Sequence, residues 1–248
     1  TTPETPEIQM IKSRETALKR IESAISAATQ ELLLAVPEHV FPEIESELRT
    51  AVDSDVVVFL LIGGMDEVDG DGSEFAGIAD VVRYWGESLP LVYTVDDAAA
   101  MIGDSTIVSG THTDDVAVTV SEPQLSGSIL GMYFSAYWPA ATELYVTDPD
   151  PLPRSYDWFR QATLHATLHE QAGVDLHAEV ETESGTTVAG PITEIRQAFI
   201  EPTSNDFTLE NSFFIDTGDG IVSVGGKGSF IEDYQSRSVR LRRLDAVE

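Results

Sequence analysis

Residues 31–62 read Glu-Leu-Leu-Leu-Ala-Val-Pro-Glu-His-Val-Phe-Pro-Glu-Ile-Glu-Ser-Glu-Leu-Arg-Thr-Ala-Val-Asp-Ser-Asp-Val-Val-Val-Phe-Leu-Leu-Ile. Two apolar runs flank a helical pattern, and that combination decides the fold class. Glu31–Val36 is a short strand that stops at Pro37, because proline has no N–H to give to a ladder. Phe41, Ile44, Leu48 and Val52 recur at helical spacing, so Phe41–Val52 reads as a helix with one apolar side. Val56–Ile62 is apolar at every position. An unbroken run of this kind is expected of a parallel strand with helices over both faces of its sheet. Strand, helix and strand in this order make a βαβ unit with a right-handed crossover.

Upstream, Thr1–Pro6 is polar and proline-rich and reads as frayed chain or a linker. Ile11, Leu18, Ile21, Ile25, Ala28 and Leu32 fall on one helical stripe, either a coiled-coil seam or a core-facing edge. Downstream of Gly63-Gly64 lies an acidic, glycine-rich loop, Met65–Ser73. Gly77–Trp85 fits a helix by the spacing of Ile78, Val81, Val82 and Trp85, and a strand by its β-branched content. Strands are expected at Leu91–Val95, Thr106–Ser109 and Val116–Val120. A helix is expected from Pro123 to near Glu143, with Leu125, Ile129, Met132 and Ala136 on one side.

Asp148-Pro-Asp-Pro-Leu-Pro is the clearest boundary, since prolines this dense continue neither a helix nor a central strand. A second helix, Tyr156–Ala172, ends at Gly173. Strands follow at Leu176–Glu183, Gly190–Glu201, Phe207–Thr217, Ile221–Val224 and Ser238–Leu244, with turn residues between them. They read as a small antiparallel sheet or barrel. The chain accordingly divides into a helical connector at 1–30, an α/β domain at 31–147, a linker and helix at 148–175, and a β-rich domain at 176–248.

The 248 residues are 42% hydrophobic, enough for full cores. Acidic residues number 43 against 14 basic, for a net charge of −29. Such a surface repels phosphate backbones, so this region is not expected to grip nucleic acid, and it disfavours anionic membrane surfaces. It suits a salty cytoplasm, where salt screens self-repulsion, and the scarcity of lysine beside abundant Asp and Glu fits a halophilic archaeon. There are no cysteines, so disulfides, thiol catalysis and Cys-type zinc sites are excluded. No apolar run reaches the ~18 residues of a membrane span, and no basic-apolar leader opens the sequence. A cytoplasmic location is expected. The sequence begins Thr-Thr-Pro-Glu, without Met, and reads as part of something longer.

The most pointed chemical pattern is Val222–Tyr234, Val-Ser-Val-Gly-Gly-Lys-Gly-Ser-Phe-Ile-Glu-Asp-Tyr. A β-rich run ends in a glycine pair, which lets a ligand approach the main chain. A carboxylate follows, fit to accept from sugar hydroxyls. The functional reading is a carbohydrate pocket with Gly226 close to the ligand and Glu232 as acceptor. Asn211 adds an amide that both donates and accepts. Ser135, within Met-Tyr-Phe-Ser-Ala-Tyr-Trp, adds a hydroxyl among aromatics. A glycine hairpin followed by an exposed acid would read the same way. Tyr133, Phe134, Tyr137 and Trp138 serve equally as core or as a stacking surface.

Other constellations are weaker. His165 and His169 share a helix face, but their order is not His-Glu-x-x-His and only His177 is near as a third ligand. They read as surface or interdomain histidines, and no metal is expected. Asp66, Asp69 and Asp71 fail the calcium-loop pattern: counted from Asp69, the sixth residue is Glu74 and the twelfth Asp80. Glu210 and Glu232 can be imagined as a glycosidase pair, with nothing in the sequence fixing their separation.

Ser135, Asn211, Gly226 and Glu232 together resemble the TrmB family of archaeal sugar-responsive transcriptional regulators. That family's sugar contacts are a serine, an asparagine, a glycine and a glutamate, and their order and separations fall on these four positions without a gap. The resemblance runs from the helix before Glu31 to the last strand. It implies a phospholipase D-like α/β domain followed by a small β-rich sugar-binding domain. It implies an effector-sensing region of a transcription regulator rather than an enzyme, a sugar such as glucose or maltose as ligand, no cofactor, and a homodimer. The sugar would bridge the two domains, and DNA would be met only through an N-terminal winged helix that this chain lacks. The catalytic phospholipase D pattern, His-x-Lys followed by Asp, is missing after His39, His112, His165, His169 and His177. The alternatives are a hydrolase acting on a sugar or phosphodiester, and a structural dimerisation module with no ligand.

Overall fold

The computed structural model describes residues 7–65, 70–109, 115–205, 207 and 209–244, in two compact units, 1–147 and 148–248. The first unit is a mixed α/β sheet. Its elements are β1 (Ile8–Ile11), α1 (Arg14–Ala27), β2 (Glu31–Pro37), α2 (Phe41–Asp53), β3 (Val57–Gly63), β4 (Val81–Trp85), β5 (Leu91–Val95), β6 (Ala99–Gly103), β7 (Ala117–Val120), α3 (Pro123–Met132) and β8 (Thr142–Val146). The strands lie in the order β1-β7-β6-β5-β2-β3-β4-β8. β2 and β3 pair in parallel from Glu31–Val57 to Pro37–Gly63, and β3 is parallel to β4.

The unit read from residues 31–62 therefore sits at the centre of the sheet, and its unbroken apolar runs have a cause. Leu32, Leu34, Val36, Val58, Leu60 and Ile62 share one core with the buried sides of α1 and α2. Phe59 meets Phe134 and Trp138 edge-on, at ring centroid distances of 5.6 and 5.8 Å. The Tyr133 hydroxyl donates to the Leu34 carbonyl at 3.2 Å. Tyr133, Phe134 and Trp138 are thus core, not a stacking surface, while Tyr137 is half-buried.

Several expectations need correction. The stripe over residues 11–32 spans three elements. Ile11 pairs with Ala117 on β1. The helix starts only at Arg14, where Ser13 Oγ accepts from the Thr16 N–H, and Leu32 already lies on β2. Ala17, Leu18, Ile21 and Ile25 face the core, so the stripe is a core edge rather than a coiled-coil seam. Gly77–Trp85 yields strand β4 from Val81 onward. Thr106–Ser109 is not a strand. Asp104 accepts from the Thr106 N–H at 2.9 Å and caps a short turn over Ser105–Val108, a local bond that competes with extended structure. β6, Ala99-Ala-Met-Ile-Gly103, went unread because its sequence carries no strand bias. α3 stops at Met132, passes into one wide helical turn at Tyr133–Tyr137, and buries Ser126 and Leu130. Leu125 stays exposed, because the buried Tyr133, Phe134 and Trp138 anchor the segment from its far end.

The second unit contains β9 (Arg154–Tyr156), α4 (Phe159–Gln171), β10 (Leu176–Thr182), β11 (Thr187–Arg196), β12 (Ser212–Asp216), β13 (Ile221–Gly225) and β14 (Tyr234–Arg243). The strand order is β10-β11-β12-β13-β14-β9, and β14 also pairs with β10, which closes a small barrel. All pairings are antiparallel except β13–β14, which is parallel at Val224–Tyr234 and Gly225–Gln235. Phe159, Ala162 and Ala166 of α4 pack into the barrel core with Phe213, Ile215, Val224, Val239 and Leu241. Tyr156, expected on the helix, lies on β9 opposite Val239. Gly173, at φ +74°, follows the end of α4. Among the described residues no helix is long and apolar enough to cross a membrane.

Candidate functional site

The ladders of the barrel bring three of the four expected site residues to one place. Ser212 at the start of β12 pairs with Gly225 at the end of β13, so Asn211 and Gly226 are carried past the same end of the sheet. The chain then loops out and returns as β14, which brings back Glu232. Asn211, Gly226 and Glu232 line a cavity of about 320 Å³, with Glu210, Ser229 and Phe230 and with Arg160 from α4. That volume falls in the range of small-ligand sites, roughly 300–1,000 Å³.

Two atoms in this wall are unusual. Asn211 Oδ1 and Ser229 Oγ are buried and have no hydrogen-bond partner among the described residues. An unsatisfied buried polar group costs on the order of 1–3 kcal/mol, and such groups are ordinarily met by water or a ligand. Glu232 likewise forms no hydrogen bond or ion pair among the described residues. Glu210 is different. One of its oxygens accepts from Arg196 Nη1 at 3.2 Å and the other from Asn205 Nδ2 at 2.9 Å.

The loop from Gly226 to Asp233 is held at both ends. The Ser223 N–H and hydroxyl both donate to Asp233 Oδ2, at 2.8 and 3.0 Å, and the Asp233 N–H donates back to Ser223 Oγ at 3.0 Å. The amide bond and then the hydroxyl bond hold the Asp233 carboxyl below the usual carboxylate range. Gln235 Nε2 donates to the Ser229 carbonyl at 2.6 Å, and the Ser229 N–H donates to the Gly226 carbonyl at 3.1 Å.

Gly225 and Ser229 were missed in the sequence. A Cβ on Gly225 would lie 2.8 Å from both Glu232 Cδ and Ser229 Oγ, so the bare strand end is what lets the carboxyl and hydroxyl lie side by side. At Gly226 a Cβ would meet Phe159 Cβ at 3.3 Å, a looser fit. The Gly-Gly pair was the available signal, but nothing local says which glycine is pressed. Ser135 lies in the first unit, exposed on the wide turn between buried Phe134 and Trp138.

The remaining candidates are structural or fall elsewhere. His165 and His169 are buried. His165 Nδ1 accepts from the Asp150 N–H at 3.1 Å, and His169 Nε2 lies 2.8 Å from the Asp150 carbonyl. The pair fastens the proline-rich segment to α4. Among the described residues no group of three or more His, Asp or Glu side chains is arranged to hold a metal. Asp71 accepts from the Ser73 N–H. Asp66, Asp69 and His112 lie outside the described residues.

Two family models match the chain: "Transcriptional regulator TrmB, EBD N-terminal subdomain" over residues 7–145, and "TrmB/TrmBL1, EBD C-terminal subdomain" over residues 151–244. No curated protein matches the sequence. Solved structures similar to it include TrmBL2, described as an archaeal chromatin protein, at 14% identity and a TM-score of 0.44, covering 58% of this chain and 57% of that one. The chain thus spans little more than half the length of that protein. Nuc from Salmonella typhimurium, a phospholipase D family member, is 23% identical with a TM-score of 0.43, over 58% of this chain and 100% of that one. NucT from Helicobacter pylori is 10% identical with a TM-score of 0.45, over 56% and 99%. With one effector-binding subdomain matching in each of its two units, the chain belongs to the TrmB family of transcriptional regulators.

Proposed function

We propose that this effector-sensing region binds a small sugar in the cavity of the second unit, through Asn211, Gly226 and Glu232. The observation that carries the reading is that these three residues line one cavity in which Asn211 Oδ1 is buried and unpartnered. Asn211 supplies donors and an acceptor, and Glu232 supplies acceptors only, which together suit vicinal hydroxyls. Ser135 is kept as a fourth contact on the family resemblance alone. The sugar is bound without turnover. The match to effector-binding subdomains supports this, and the other carboxylate of the cavity, Glu210, is engaged by Arg196 and Asn205.

In the full regulator, sugar shifts an equilibrium between states that differ in sugar affinity, and the shift reaches DNA through a winged-helix domain. The net charge of −29 supports a cytoplasmic, halophilic setting and a region that does not itself grip DNA. Homodimerisation is part of the same reading. Calorimetric titration in molar KCl with glucose, maltose, sucrose, trehalose and glycerol tests it. One sugar should bind saturably, and Glu232→Gln should weaken it by about 1–3 kcal/mol, the value of a hydrogen bond to a charged group. Binding that ignores the substitution removes Glu232 from the site, and release of product from a labelled disaccharide would return the chain to the hydrolases.

A further inference from the structure

The first unit has a cavity of its own, about 190 Å³, between α1 and the strands β5, β6 and β7. Small side chains leave the space, Ala24 and Ala27 on the helix and Ala99 on the sheet, and Val95 and Val120 complete an apolar wall. Two polar groups are set into that wall. Tyr93 on β5 is 6% exposed, yet its hydroxyl makes no hydrogen bond among the described residues. A buried tyrosine ordinarily finds a partner for its O–H. Burial raises the Tyr93 pKa above the usual tyrosine value, against the pull of the Arg20 charge, so the hydroxyl keeps its proton and can donate.

Arg20 is the second group. Arg14, Arg49 and Arg196 each face a carboxylate, as expected in a chain with 43 acidic residues. Arg20 faces none among the described residues. Its Nη2 donates to Gln9 Oε1, and Gln9 Nε2 donates to Glu7 Oε1, so an amide stands between the two charges at the rim. A guanidinium has five N–H donors in a fixed fork, and Gln9 takes one of them.

We infer that this cavity binds a short-chain organic carboxylate, with its carboxylate group on Arg20 and the Tyr93 hydroxyl and its carbon tail against Ala24, Val95 and Ala99. A planar carboxylate matches the guanidinium fork. An inorganic anion would use the same donors and leave the apolar wall in water. A neutral ligand of the same size would leave the Arg20 charge unmatched. The volume lies below that of drug-sized sites and suits a few carbon atoms. Salt screens the net charge of −29, so an anion can approach. The site is independent of the sugar reading.

Propionate and propionamide separate charge from size. The wild-type chain is titrated in molar KCl with acetate, propionate, butyrate, propionamide and inorganic phosphate, followed by amide NMR shifts. At least one carboxylate should bind saturably, with propionamide and phosphate each at least about tenfold weaker. Arg20→Gln should weaken that carboxylate at least about tenfold, and Tyr93→Phe by about threefold to tenfold. Neither should lower the melting temperature, since Arg20 is exposed and the Tyr93 hydroxyl bonds nothing in the free protein. Failure of every carboxylate to shift the amides around Tyr93 overturns the inference, as does binding that propionamide matches or that both variants leave unchanged. Phosphate as tight as the best carboxylate overturns the role of the apolar wall. A fall in melting temperature in Tyr93→Phe overturns the hydroxyl's part as a ligand donor.

Discussion

Gly225 accommodates two functional side chains by having none of its own. Gly225→Ala would place a methyl group within 2.8 Å of Glu232 Cδ and Ser229 Oγ. Sugar affinity should fall at least as far as in Glu232→Gln, and overpacking of this order should cost about 1–3 kcal/mol of stability by urea denaturation. Asp233 gives a pH signature. Its folded pKa is depressed by the Ser223 bonds, so the stability it contributes is present above the unfolded value of about 3.9 and is lost as pH falls through the folded value. The stability advantage of wild type over Asp233→Asn should be constant near neutrality and shrink below about pH 4; an advantage that grows on acidification would refute the assignment. At this scale the sequence was partly legible. Asn211 and Glu232 announce themselves by residue type. Ser229 and Gly225 do not, because their meaning depends on the parallel β13–β14 pairing, which brings Gly225 opposite Gln235 and is written nowhere in local propensity.

At the scale of elements, the wide turn after α3 acts as a bolt. Trp138 is fully buried against Phe59, Tyr133 and Phe134, with the Arg83 guanidinium 5.2 Å from its ring centroid. Arg83 is itself buried and donates to the Trp138 carbonyl at 3.0 Å. Trp138→Ala should therefore cost about 3–5 kcal/mol, measured as a shift of the denaturation midpoint; a loss below 1 kcal/mol would mean that the turn does not anchor α3. The parallel core strands were readable because burial on both faces leaves an unbroken apolar run. The end of the helix before β8 was not, since Met132–Trp138 has helical spacing throughout and only the buried aromatics decide where it turns.

For the whole molecule the dominant quantity is charge. With 43 acidic and 14 basic residues, repulsion outweighs the exposed ion pairs of Lys19 with Glu15 and of Arg49 with Glu45. The screening length falls from about 8 Å at ~0.15 M salt to about 3 Å at ~1 M. Thermal melts followed by circular dichroism should move upward as KCl rises over that range, and a flat or falling trend would contradict repulsion as the main surface term.

The closure of the barrel also sets a schedule. β14 is the last of its strands in the chain, yet it sits between β10 and β9 and alone pairs with β13 beyond the ligand loop. A ribosome adds residues at roughly 5–20 per second, and domains generally form as units when their last element emerges. The first unit can settle while the second is still being made, but the loop that carries Ser229 and Glu232 is not tied down until β14 pairs with β13 and Gln235 reaches the Ser229 carbonyl. Sensing thus waits for β14. Nascent chains arrested before Tyr234 should retain no sugar, and chains released only after Arg243 has cleared the exit tunnel should.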